Sequence, residues 1–239
     1  MIKSLIHDSV VACIILSLPH VFQACSNDPY DTGDGSLSYM RADFVEATTD
    51  GSANVVSATT DDGKALTLSP SIKADWITAT DSTYRALLYY NSADGNDMTA
   101  TVKPLAIGNV LVPNILHEET AANPYPTDPV TLETAWMSRS QKYINLGISV
   151  KTGKIDNKIE PQSFGIALAA TTATADGHRC FRLKLIHDQG NAPEYYSTQV
   201  YVSIPLYRFP EEVSSGDQFE ISVNTYKGTV TRTFYSRQQ

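Results

Sequence analysis

From Leu37 onward apolar side chains recur at every second position, and no convincing helical period interrupts them, so the chain must fold as sheets. In the first half the alternation gives strands over Tyr39–Ala47, Asn54–Thr60, Lys64–Leu68 and Arg85–Asn91. Asp61-Asp62-Gly63 reads as a hairpin turn, with a glycine suited to positive φ. Met98–Lys103 and Ala106–Val112 complete the set, and Trp76 falls between strands. So many strands in so short a stretch predict a small closed barrel over residues 37–112.

The second half repeats the pattern. Strands are expected at Thr131–Ser138, Tyr143–Lys151, Ser163–Ala170, Arg179–His187, Gln199–Leu206, Phe219–Tyr226 and Thr229–Tyr235. Lys227-Gly228 joins the last two in a tight turn, and Pro205 demotes the end of its strand to an edge or bulge. Seven strands at this spacing predict an immunoglobulin-like β-sandwich over 131–239. Between the halves, residues 113–130 hold four prolines and no periodicity, which marks a stiff linker and a domain boundary.

The first residues carry an address. A basic start at Lys3, the apolar run Val10–Leu18 and the break at Pro19 have the form of a secretory signal over residues 1–24. Nine apolar residues fall well short of the ~20 that span a bilayer. Ala24 precedes Cys25, so cleavage there would leave Cys25 as a lipidated N-terminus; Phe22 and Gln23 make the lipobox imperfect. The competing site at Cys13 has no apolar stretch ahead of it, and ordinary secretion is the plainer alternative. Residues 25–36 follow as an acidic tether, with Asp28, Asp31 and Asp34 resembling the export signals of some surface lipoproteins. The expected location is the cell envelope, lipid-anchored at the outer membrane and facing outward.

The net charge of −8, with no Lys/Arg cluster, excludes phosphate neutralisation and so argues against nucleic acid as a partner. It also leaves membrane attachment to the lipid anchor. With Cys13 removed and Cys25 acylated, Cys180 stands alone and no intramolecular disulfide can form. Its alternating surroundings mark it as a buried small hydrophobe.

Several stretches together carry a resemblance: the lipoprotein signal, Arg85-Ala-Leu-Leu-Tyr-Tyr-Asn91, the proline-rich joint, Trp136, Tyr143-Ile-Asn-Leu146, His178–His187 and Val200-Tyr-Val-Ser-Ile-Pro-Leu-Tyr207. In these the chain is similar to the NigD-like family of envelope lipoproteins. The resemblance implies an OB-like N-terminal barrel followed by a C-terminal β-sandwich. The family name comes from a bacteriocin gene cluster, and no catalytic residues are implied.

Residues that could carry chemistry are sparse. His117, His178 and His187 form no zinc motif, and His178 and His187 sit roughly 30 Å apart along a straight strand. They are expected as solvated turn histidines. No G-x-S-x-G elbow is present. Glu118-Glu119 lies in the proline-rich stretch, where paired carboxylates are poorly held for glycoside hydrolysis. Thirteen tyrosines offer a stacking surface, with Tyr89-Tyr90 and Tyr195-Tyr196 placing one ring of each pair outward. The expectation is a non-enzymatic envelope protein without cofactor or metal, an interaction module for a protein or other ligand, with a glycan-binding surface lipoprotein as the alternative.

Overall fold

The structure, a computed structural model, describes residues 40–92, 100–117, 124–210 and 212–237. The signal, Cys25, the tether and Glu118-Glu119 lie outside the described residues. Ser36–Gln239 form one compact unit, and among the described residues no α-helix occurs.

Five strands close a barrel: β1 (Arg41–Thr49), β2 (Val55–Thr60), β3 (Ala65–Ile72), β4 (Thr83–Ser92) and β5 (Thr101–Asn109). Their order is β1-β2-β3-β5-β4, with β4 returning to β1, as in an OB-like fold. All pairs are antiparallel except β3 with β5, where Thr67 and Leu68 face Thr101 and Val102. Alternation fills the inside: Val45, Ala47, Leu66, Leu68, Ala86, Leu88, Tyr90 and Val102 are buried there. Gly63 turns the β2–β3 hairpin at φ 81°. The two strands expected between residues 98 and 112 are one, β5. Pro104 sits where the register with β4 slips between Tyr89 and Tyr90, a bulge that spares the missing N–H.

The sandwich sets a three-stranded sheet against a five-stranded one. The first has β8 (Tyr143–Thr152) between β7 (Thr131–Met137) and β13 (Tyr196–Pro205). The second runs β15 (Gly228–Tyr235), β14 (Gln218–Thr225), β12 (Arg179–Asp188), β11 (Ser163–Ala173) and β6 (Ile115–His117). Phe181, Phe209 and Phe219 cluster in the core, with Phe181 and Phe219 stacked at 5.2 Å. A separate hairpin pairs β9 (Lys154–Ile155) with β10 (Lys158–Ile159) across Asp156-Asn157, both at positive φ. Pro205 ends β13, which is an edge strand.

The described parts of 113–130 are threaded through the sandwich. Ile115–His117 pairs in parallel with Ile166–Leu168 of β11. Farther on, His187 N–H donates to the Pro126 carbonyl, Asp128 N–H to the His187 carbonyl, and Val130 N–H to the Asn224 carbonyl. Prolines at 124, 126 and 129 leave enough donors for these bonds and hold the path extended.

β8 is buried on both faces because the barrel packs on the outer face of its sheet. Phe44 of β1 meets Trp136 and Tyr201 edge-on, each at 5.2 Å. Gly147 gives the Tyr201 ring its place over β8. A Cβ there would collide with Thr134 Oγ1 and press within 3.3 Å of the Tyr201 ring.

Candidate functional site

The most concentrated polar cluster ties the barrel to the sandwich. Arg85, with its side chain only 1% exposed, forks onto Asp61 through two bonds of 2.7 Å. Its Nε donates to Ser203 Oγ at 3.2 Å, and its Nη2 reaches Asn145 Oδ1 at 3.3 Å. Ser203 Oγ donates to the same Asn145 oxygen, leaving Asn145 Nδ2 as a buried amide without a partner. The guanidinium also lies 4.1 Å from the Tyr143 ring centre. Tyr143 Oη donates to Glu46, which Lys142 also holds at 2.8 Å. Burial, then Tyr207 and Glu46, push the Tyr143 hydroxyl well above the usual phenol range. Burial opposes the charge of Glu46, but Lys142 and Tyr143 outweigh it and hold that carboxyl low. Every charge in the cluster is matched in place, so it serves as a weld.

The histidines divide. His178 is exposed, its ring over Gly216. His187 is no solvated turn residue: it is 1% exposed, stacked on Phe164 at 4.9 Å, with Nδ1 on the Asp128 carbonyl and Nε2 on Gln162 Oε1. The returning stretch 126–128 covers the end of β12 and buries a residue that the flanking Asp188 makes look surface-bound. Cys180 is free and buried, and burial raises its thiol above the ordinary value. Among the described residues no group of three His, Cys, Asp or Glu gathers in reach of a metal.

Of the tyrosine pairs, Tyr90 belongs to the barrel core, donating to Asp43 at 2.6 Å, and Tyr89 is half-buried. Tyr195 and Tyr196 are both exposed, at the start of β13. A cleft of about 390 Å³ opens beside this strand, at the mouth between the two sheets. Leu111, Ile159, Phe164 and Val200 line it together with the polar Asn109, Thr198 and Gln162 and the charged Glu160. Ile159 is 62% exposed, and β9 and β10 are too short to show a period in the sequence, where the Asp156-Asn157 turn pair is their one trace. A larger hollow of about 840 Å³ lies among the loops around Lys142, Tyr207, Ser214 and Ser236. Two of its polar groups are already engaged, Lys142 on Glu46 outside the hollow and Ser236 on the Ser214 carbonyl, and among the described residues it has no exposed sheet edge beside it. The cleft beside β13 is therefore the candidate site.

A family model described as the NigD-like C-terminal beta sandwich domain matches residues 113–236. Among solved structures, the chain resembles a NigD-like immunity protein from Bacteroides caccae at 19% identity and TM-score 0.62, over 83% of this chain and 97% of that one. It also resembles a protein from Parabacteroides distasonis described as toxin-related, at 19% identity and TM-score 0.59, covering 83% and 93%. A third, from Bacteroides fragilis and described as a lipoprotein, aligns at 11% identity and TM-score 0.57 over 84% and 98%. At these identities the likeness is one of fold. No curated protein matches the sequence.

Proposed function

The chain belongs to the NigD-like family, and from that premise we propose that it is a non-enzymatic envelope protein, anchored by lipid on Cys25, that works by binding another protein. The observation that carries the reading is the first half of β13: Tyr196–Gln199 are exposed and uncharged on a sheet edge beside an apolar cleft. The ionisable side chains held most firmly, Arg85, Asp61, His187 and Asp217, are all engaged in holding the fold. The similarity to a protein described as an immunity protein supports a toxin as the partner.

Deleting the gene tests this. Cells lacking the protein should become sensitive to toxins made by their own kind, and complementation should need Cys25, with Cys25→Ser failing to take up labelled palmitate. Unchanged sensitivity removes the immunity role. A glycan reading has its own observation: the Tyr195 ring, 77% exposed, packs beside Gly153 and Pro193 as a flat surface to which a sugar could stack. Calorimetry against envelope polysaccharides decides it, since Tyr195→Ala must abolish any heat observed.

A further inference from the structure

We propose that β13 takes up an extended segment of another protein as an added strand, with apolar side chains of that segment entering the cleft at alternate positions. The inference rests on the protein-binding reading above and names the surface and the kind of partner.

The edge already accepts a strand from within the chain. Leu111 N–H donates to the Tyr201 carbonyl at 2.9 Å, and Ser203 N–H donates to the Leu111 carbonyl at 2.7 Å, so the segment leaving the barrel runs parallel to β13 there. In an antiparallel ladder the backbone groups of alternate residues share a side. Tyr201 and Ser203 turn theirs away from β8, so Ser197 and Gln199 present N–H and C=O on that same edge. No described residue bonds to these backbone groups, although the Gln199 side chain donates to Glu133 at 3.2 Å. A bound segment would continue the line that Leu111 begins.

The other edges are defended and this one is not. A charge on the inner face, a bulge or extreme shortness each discourages strand addition. On β15, Arg232 faces inward in register with buried Ile221. β7 carries Glu133 and a register slip between Leu132 and Thr134, and β6 has only three residues. The barrel has no edge. β13 has ten residues, no charge and ten partners on β8 in unbroken register. Among the described residues only its second half is covered, by Leu111.

The cleft decides what kind of strand fits. On β13 the even positions face the core, so a new strand would turn every second side chain over the mouth lined by Leu111, Ile159 and Phe164. A second copy of β13 would offer Thr198 there, too small and polar to fill an apolar space. A partner with Val, Ile, Leu or Phe at those positions fills it. The two sheet faces of the segment therefore differ, apolar inward and polar outward.

The test uses the full chain and a pool of blocked octapeptides alternating Val, Ile, Leu or Phe with Ser or Thr, read by affinity selection and mass spectrometry. Retained peptides should protect the Ser197 and Gln199 amides from exchange and lose at least tenfold in affinity when their ladder-facing amides are methylated. Two variants should do the same: Thr198→Lys, which places a charge at the mouth, and Ser197→Pro, which removes an N–H that the fold itself does not use. Thr229→Lys on β15 should change nothing. Failure to retain any peptide, retention indifferent to methylation and to both variants, or an effect of Thr198→Lys on self-association alone would each overturn the proposal. A chain that retains no peptide yet still protects its cell keeps the protein-binding reading and removes only this surface.

Discussion

Arg85 of the barrel reaches across to the sandwich with its guanidinium forked on Asp61 and its remaining N–H groups on Ser203 and Asn145. A two-pronged ion pair with so little exposure behaves as a fastener: removing one half strands the other. Arg85→Met alone should cost about 3–5 kcal/mol, because the Asp61 carboxylate loses both of its Arg85 donors out of reach of full hydration, and Asn145 and Ser203 each lose one. The double change Arg85→Met with Asp61→Leu should recover much of that loss. Urea titrations of both variants supply the comparison, and equal instability would mean the pair contributes more than mutual neutralisation.

Gly147 leaves room on β8 for the side chains of Thr134 and Tyr201, the latter the ring on which Phe44 of the barrel packs. Alanine there would drive Thr134 and Tyr201 outward, a strain of about 1–3 kcal/mol in a packed junction. Thr134→Ala removes the nearer obstacle. The pair of changes should therefore be less harmful than Gly147→Ala by itself, as measured by thermal midpoints, and simple additivity would refute the contact.

Asp217 sets an acid limb. Burial disfavours its charge, yet the Arg179 side chain and the N–H groups of Ser214 and Arg179 prevail and hold its carboxyl below the ordinary 3.8. A carboxyl depressed on folding stabilises the native state above its unfolded value, and the stabilisation disappears as pH falls through the folded one. Asp217→Asn should therefore be less stable than the wild type at neutral pH, by the ~1.5–3 kcal/mol of a charged hydrogen bond. The gap should close below pH 3.8. Denaturation midpoints at pH 7 and in acid give the slope.

Strands were legible because period two survives any tertiary context in which one sheet face is buried. Arg182 and Lys184 alternate with Leu183 and Leu185 on β12, and Lys227-Gly228 turns β14 into β15, as their residues suggest. What a single chain does not display is pairing at a distance. Arg85 looks like an ordinary outward residue of its strand, and its partners lie 24, 60 and 118 positions away. His187 is hidden from reading for the same reason, since the stretch that covers it comes 59 residues earlier. The cleft depends on Ile159 from a hairpin of two-residue strands, too short to show a period.

Edge protection can be tested on β15 without any ligand. Val230, Arg232 and Phe234 share the face that looks toward the core, yet Arg232 is exposed. A charge at that place would have to be desolvated if another strand paired alongside, and the cost of burying an unpaired cation exceeds what a few ladder bonds return. Arg232→Val makes the stripe continuous and apolar while leaving the backbone groups of the edge available. The variant should be as stable as the wild type toward urea, since among the described residues Arg232 bonds only a neighbouring carbonyl at 3.4 Å. It should also associate with itself at concentrations where the wild type is monomeric, seen by sedimentation. Arg232→Lys should stay monomeric. Self-association of both variants would show that shape and not charge guards β15, and would weaken the contrast that singles out β13.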